Sequence, residues 1–152
     1  MTRSLILALG ADHGGVALKQ RLAVLLAEAG HQLLDYGTNG PESVDYPDFA
    51  HAVCDAVAER RADFGLLVCG TGIGMSIAAN RNPAIRCALV HDVTTARLTR
   101  QHNDANVLAL GARITGEEVA VDIVKTFLAT KFEGGRHERR LAKINKTTEP
   151  TP

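Results

Sequence analysis

The stretch 66–76 places the tightest constraint on how this chain can fold. Its first residues form an apolar run typical of a buried strand, and three glycines then lead into a predicted helix over about 73–80. A strand that turns through glycines into a helix aims unpaired backbone N–H groups at one point, where the helix dipole adds partial positive charge. Cys69 ends the strand, in a field that favours its thiolate form. The stretch therefore predicts an anion-stabilising pocket beside a sulfur base.

Strands and helices alternate along the rest of the chain. Apolar runs predict strands at 4–9, 32–36, 64–68, 86–90 and 106–110, with helical spacing of apolar residues between them. Asp48 is the predicted N-cap of one helix, and Thr115 with Glu118 has capping-box spacing at the start of another. A basic helix is predicted over about 137–144, before a frayed tail from about 145. This alternation predicts one α/β domain over 1–152, with a parallel sheet of about five strands covered on both faces.

Composition narrows the class of protein. The chain has 17 basic and 17 acidic residues, no Trp and 4% aromatic residues, which argues against nucleic acid as a partner. A long apolar segment and a signal peptide are both lacking, so we expect a cytoplasmic protein that does not enter a membrane. The three cysteines have no zinc-site spacing, and Cys54 and Cys87 fit core packing. We therefore expect no metal.

Several polar residues follow the predicted strands directly. In a parallel α/β sheet, ligands bind beyond the carboxyl ends of the strands. The residues at these ends are Asp12, His13, 69–74, His91, Asp92 and Arg113. We expect them to form a polar, reactive cluster in apolar surroundings.

The glycine turn leaves several alternatives open. Its G-x-G-x-G spacing after the third strand does not match a dinucleotide fingerprint, and no Gly-Lys-Ser/Thr follows as in a P-loop. Asp92 at a later strand end keeps a Rossmann cofactor site open, and a tight turn that only permits close packing is the plainest alternative. Cys69 could be a small buried hydrophobe, and Thr71 could either relay protons or cap the helix.

The remaining candidates each have a structural alternative. Asp12 and His13 could handle hydroxyl protons or a phosphate oxygen, or Asp12 could simply cap the next helix. His102 lies in a polar segment where a surface role is common. Arg136 and Arg140 are four residues apart and would share a helix face, which suits either a phosphate dianion or plain solvation.

Five segments taken together resemble one known family. They are 10–15 (GADHGG), 45–47 (DYP), 69–74 (CGTGIG), 100–106 (RQHNDAN) and 133–137 (EGGRH). In this order they are similar to the ribose/galactose-phosphate isomerase family, and within it to the type-B ribose-5-phosphate isomerases. The resemblance extends from the first strand to Arg140, and five collinear motifs are highly specific.

The resemblance implies a role for each matching residue. Cys69 is similar to the base that moves a proton between the first two sugar carbons, and Thr71 to its hydroxyl helper. His102 matches the residue that opens the furanose ring. The implied substrate contacts are Asp12 and Tyr46 to sugar hydroxyls, Gly70, Gly72, Ile73 and Gly74 to the enediolate, Asn103 to the sugar or enediolate, and His13, Arg136, Arg140 and, as a fourth, Arg113 to phosphate.

The resemblance also implies the reaction and the assembly. We expect interconversion of ribose 5-phosphate and ribulose 5-phosphate, with an isomerase of allose or galactose 6-phosphate or of erythrulose 4-phosphate as the close alternative. A non-enzymatic sugar-phosphate-binding module is a more distant alternative, which would have no use for Cys69, Thr71 and His102 together. The family implies a Rossmann-like three-layer α/β/α sandwich, no cofactor, and a homodimer (a tetramer being the alternative) with sites at the interface. In that dimer the helix near 137–144 packs on the partner.

Overall fold

Five apolar runs form one parallel sheet in the computed structural model, which describes residues 3–145. The strands are β1 (Ile6–Ala11), β2 (Gln32–Asp35), β3 (Phe64–Cys69), β4 (Cys87–Leu89) and β5 (Val107–Gly111). Their order across the sheet is β2-β1-β3-β5-β4, and all neighbouring pairs are parallel. The predicted five-stranded parallel sheet is confirmed, although strand ends shift by up to two residues.

Helices cover both faces of this sheet. They are α1 (Val16–Glu28), α2 (Tyr46–Ala58), α3 (Ile73–Ala79), α4 (Val93–Asn103), α5 (Glu117–Ala129) and α6 (Arg136–Leu141). One core contains α1, α4 and α5 with Leu66 and Val68 of β3, whereas the other contains α2 and α3 with Leu67 and Cys69. Because side chains alternate along a strand, Cys69 faces the α2/α3 layer. The Rossmann-like three-layer sandwich is confirmed.

The helix starts differ from the predicted ones. Helix α2 begins at Tyr46 with Asp45 as its N-cap, so the predicted cap at Asp48 is wrong. Pro47 explains the earlier start, because its fixed φ and missing N–H suit a first helical turn. Helix α5 has Gly116 as its N-cap, and the buried Thr115 hydroxyl has no hydrogen-bond partner among the described residues, so the capping box is also wrong.

The C-terminal helix is shorter than predicted. Helix α6 ends at Leu141, and Asn145 donates a side-chain hydrogen bond to the Pro83 carbonyl at 2.5 Å. The rest of the predicted frayed tail lies outside the described residues. No helix within 3–145 is both long enough and apolar enough to cross a membrane.

A buried lysine anchors the loop between β2 and α2. Lys19 of α1 is 1% exposed, and its ammonium group donates to Asp35 Oδ1 at 2.6 Å and to Asn39 Oδ1 at 2.8 Å. The same Asp35 oxygen accepts the Gly37 N–H at 2.8 Å. A buried ammonium is tolerated only when it is paired and hydrogen-bonded. This pair therefore fixes the loop where it passes the carboxyl ends of β1 and β2.

We expect Lys19→Met to lower the free energy of unfolding by about 2 kcal/mol, because hydrogen bonds to a charged group are lost at a buried position. Arg21→Met on the same helix is the matched control. The Arg21–Glu117 pair is exposed on both sides, and its loss should cost at most about 0.5 kcal/mol. Urea unfolding measures both values, and equal losses would contradict the anchoring role of Lys19.

Candidate active site

Cys69 lies where β3 turns into α3. Its side chain is 5% exposed, and Sγ accepts the backbone N–H of Gly72 at 3.0 Å. Gly72 is the N-cap of α3 and has a φ of 76°. Helix α3 has seven residues, close to the length that the sequence predicted. The Gly72 N–H is thus a direct hydrogen-bond donor to the sulfur at the start of this helix.

The loop after Cys69 offers unpaired backbone donors. The N–H groups of Gly70, Thr71 and Gly74 donate no hydrogen bond to another described residue. The Ile73 N–H donates to Thr71 Oγ1 at 3.2 Å. Thr71 does not cap α3, since Gly72 holds that position. The predicted anion-stabilising turn thus has both free N–H donors and a hydroxyl beside it.

Asp12 and His13 lie in the turn that follows the neighbouring strand β1. Asp12 is 9% exposed, and its Oδ1 accepts the Gly14 N–H at 2.9 Å. It does not cap α1, whose N-cap is Gly15. The exposed His13 accepts the Val44 N–H on Nδ1 at 3.3 Å. In the neutral ring, this bond assigns the proton to Nε2, which remains a donor for a phosphate or hydroxyl oxygen.

Tyr46 and Arg113 approach the same turn from either side. A Cβ added to Gly74 would lie 2.5 Å from Cζ of Tyr46, so the phenol ring sits directly against this glycine. A Cβ on Gly70 would lie 3.5 Å from three atoms of the Arg113 side chain. The structure thus brings together a carboxyl-edge group of predicted site residues: Asp12, His13, Tyr46, 69–74 and Arg113.

The other predicted site residues lie at the opposite edge of the sheet. Helix α4 begins after β4 and runs back antiparallel to the strands for 11 residues, or about 16 Å. His102 and Asn103 are its last residues, and the Asn103 carbonyl accepts Arg86 Nε at 3.0 Å just before β4. Helix α6, with exposed Arg136 and Arg140, packs beside this end of α4. We call His102, Asn103, Arg136 and Arg140 the amino-edge group.

One cluster in this region was not assigned a role from the sequence. The rings of His102 and His137 stack with centroids 4.6 Å apart, and Glu133 Oε2 lies 3.6 Å from His137 Nε2. The i, i+4 spacing of Glu133 and His137 was the available signal. His137 is 6% exposed, so surrounding residues hold its ring in place against one face of the His102 ring.

The same three residues offer ligand atoms within 4.8 Å of one another. The two rings are only 18° from parallel. A metal–nitrogen bond of about 2.0 Å lies close to the ring plane, so stacked rings do not aim at a common ion. Metal binding would require one ring to turn away from the stack.

Asp92 has a structural role. Its Oδ1 accepts the Thr95 N–H at 2.7 Å as the N-cap of α4. The hydrogen bonds from Thr95 hold the pKa of Asp92 below its usual value. A carboxylate used in this way is not placed to bind a ribose hydroxyl, which argues against the Rossmann cofactor site.

The two remaining cysteines belong to the α2/α3 core. Burial, together with the nearby Asp55 carboxylate, raises the pKa of the Cys54 thiol to about 12. Burial raises the pKa of the Cys87 thiol well above its usual value, and the proximity of Cys54 is a second, smaller cause. Both therefore remain protonated thiols at neutral pH, as expected of packing residues.

We expect Cys54 and Cys87 to resist iodoacetamide in the folded protein. At about pH 8, a thiol with a pKa near 12 is roughly one part in ten thousand thiolate, and only the thiolate is alkylated. Peptide mass spectrometry of the labelled protein measures the modification, with protein labelled in denaturant as the control. Similar labelling of these two cysteines in both states would contradict their assignment to the core.

Comparison with known proteins gives consistent matches over nearly the whole chain. The model of a family described as Ribose/Galactose Isomerase matches residues 7–144. Ribose-5-phosphate isomerase B of Escherichia coli K12 is 46% identical over 138 residues, which cover 91% of this chain and 93% of that protein.

Solved structures agree with the sequence matches. A ribose 5-phosphate isomerase from Thermotoga maritima superposes with a TM-score of 0.92 at 49% identity, covering 94% of this chain and 99% of that one. Ribose-5-phosphate isomerase B from Mycoplasma genitalium, with bound ribulose-5-phosphate, gives a TM-score of 0.89 at 41% identity, covering 91% and 93%.

Proposed function

Because the chain belongs to the ribose/galactose isomerase family, we propose that it is an aldose–ketose isomerase that interconverts ribose 5-phosphate and ribulose 5-phosphate. The observation that supports this most directly is the turn at Cys69. It combines a thiol that accepts an N–H bond with further unpaired N–H donors in the same loop. An enediolate intermediate needs such a base and such donors together.

In this proposal, Cys69 removes the proton from C2 of the open-chain aldose and returns it to C1. The unpaired N–H groups of Gly70, Thr71 and Gly74 stabilise the negative charge that develops on oxygen, and each donor lowers the barrier by about 3 kcal/mol. Thr71 passes protons between the two neighbouring oxygens. Asp12 and Tyr46 hold the sugar hydroxyls over the thiol.

Ring opening and part of phosphate binding require the amino-edge group, which lies at the other end of the sheet in the same chain. We therefore propose that each active site is built from two copies of the chain. His102 of the partner subunit opens the furanose ring, and its stack against a second histidine fixes the orientation of the imidazole. Arg136 and Arg140 of the partner subunit bind the phosphate, together with His13 and Arg113 of the first chain.

The surface beside Cys69 supports this assembly. Helix α3 exposes Ile73 and Ile77 by 51% and 54%, although Cys69 itself is almost covered. Exposed aliphatic side chains next to an incomplete site are suited to a subunit interface. A homodimer is the simplest closed assembly that supplies both groups, and a tetramer would do so by pairing dimers.

The choice among sugar phosphates depends on the loop at 38–44. The Lys19 anchor and the bond from Val44 to His13 hold both ends of this loop near the site. Its position would set how long a sugar fits, which is why allose, galactose and erythrulose phosphates remain the alternative substrates. Ribose 5-phosphate places the chain in the pentose phosphate pathway, and the free cysteines suit a cytoplasmic enzyme.

We expect Cys69→Ala to abolish the appearance of ketose from ribose 5-phosphate while the protein keeps its fold, since only the base is lost. Colorimetric detection of ketose across four-, five- and six-carbon sugar phosphates measures the reaction and ranks the substrates, and Cys54→Ala is the matched control. Near-normal turnover by Cys69→Ala would contradict its role as the base. A wild-type protein inactive on every substrate would instead favour a binding module.

Mixing two inactive variants tests the shared site. We expect Cys69→Ala and His102→Gln, co-expressed with different tags, to regain about a quarter of wild-type activity, because half of the dimers are mixed and each has one intact site. Cys69→Ala with Thr71→Ala is the control, since both changes fall at one edge and no mixed dimer is intact. No gain in the first mixture would show that His102 and Cys69 act within a single chain.

A further inference from the structure

A cavity of about 670 Å³ opens between α1 and α5, at the amino edge of the sheet. It does not include Cys69 or any other residue of the carboxyl-edge group. Its walls are mainly aliphatic and aromatic, and they include Leu5, Leu22, Leu26, Phe64, Val124 and Leu128. Ligand pockets in proteins have this size and this mostly apolar lining, with a few polar groups that set orientation.

Every charged residue that lines the cavity is basic. Arg3, Arg100, Lys125 and Lys131 contribute to it together with His31, and no Asp or Glu among the described residues does. The nearest acidic partners stand outside the lining. Arg3 is 3.8 Å from Asp63, and Arg100 Nη1 is 2.8 Å from Asp104. The cavity thus combines an apolar interior with an excess of positive charge.

Arg100 is the one of these cations that lies within the fold. It is 6% exposed, and its guanidinium carbon lies 4.8 Å from the centre of the Phe64 ring. Nη1 donates to the Ala105 carbonyl at 2.6 Å and to Asp104, and Nε donates to the Thr130 carbonyl at 3.3 Å. No hydrogen bond from Nη2 reaches another described residue. A buried cation on the cavity wall therefore keeps a donor group for a bound anion.

We infer that this cavity binds an organic anion with an unbranched apolar body, such as a medium-chain carboxylate. The carboxylate accepts a hydrogen bond from Arg100 Nη2, and the other basic residues that line the cavity attract its negative charge. The alkyl chain lies along the leucines of α1 and α5. A sugar phosphate does not fit, because its hydroxyls would be buried against hydrocarbon without partners. An amphiphilic cation is opposed by the excess of positive charge in the wall.

Isothermal titration of the full-length protein with decanoate tests this inference and does not depend on the isomerase reaction. We expect saturable binding at one site per chain, with affinity rising roughly fourfold per methylene from octanoate to dodecanoate. Decanol should bind about tenfold more weakly than decanoate, and decyltrimethylammonium should not bind measurably. Absence of decanoate binding, or equal binding of the three head groups, would overturn the inference.

Two neighbouring residues of α1 provide matched variants. Leu25 lines the cavity, whereas Val24 is 51% exposed and does not. We expect Leu25→Glu to weaken decanoate binding about tenfold or more, because it adds a carboxylate to the apolar wall, and Val24→Glu to leave it unchanged. Val121→Trp, which fills the cavity without adding charge, should also weaken binding. Circular dichroism checks that each variant is folded, and unchanged binding in folded Leu25→Glu and Val121→Trp would overturn the inference.

Discussion

The close approach of three backbone turns at the carboxyl edge is the constraint on which the rest of the site depends. The β3 turn is bonded on one side to β1, where Asp12 N–H donates to the Val68 carbonyl at 3.2 Å. On the other side, the N–H groups after β5 donate to the Cys69 and Gly70 carbonyls at 2.8 and 2.9 Å. A Cβ on Gly111 would lie 2.6 Å from the Thr71 carbonyl oxygen, so only glycine lets β5 pass this closely. The carbonyls of Cys69 and Gly70 are thereby paired, whereas the N–H groups of Gly70, Thr71 and Gly74 donate to no other described residue.

The fold was predictable because the three central strands, β1, β3 and β5, are buried on both faces. Such strands appear in the sequence as continuous apolar runs, and the helices between them show apolar residues at helical spacing. The helix starts were less predictable, since several residues can serve as caps and tertiary packing selects among them. At α5, Thr115 had the right spacing for a capping box, yet its hydroxyl is buried and Gly116 holds the cap position. At α2, the N-cap is Asp45 and not Asp48, because Pro47 favours a first helical turn that begins at Tyr46.

The candidate site was predictable to the extent that it lies at strand ends. Asp12, His13 and Arg113 directly follow strands, so their convergence on the Cys69 turn follows from parallel topology alone. The same reasoning wrongly included Asp92 among the reactive residues. Asp92 also follows a strand, but its carboxylate caps α4. The stack of His102 on His137 could not be inferred, because it joins the end of one helix to another helix more than 30 residues later. Contacts of that kind depend on tertiary packing, which local spacing does not encode.

The division of the site residues between the two edges has a thermodynamic consequence under the proposed mechanism. A lone chain has a base and N–H donors at one edge and an imidazole with arginines at the other, and neither half can hold and open a sugar phosphate. Substrate that bridges the two halves binds only the associated state, so it must stabilise the dimer by the same free energy by which association improves substrate binding. Arg136 and Arg140, both exposed in the single chain, would then contribute to assembly as well as to affinity. Under the proposed mechanism, the bridging phosphate would link the oligomeric state to the supply of substrate, because one dianion would neutralise guanidinium groups that otherwise face the partner unpaired.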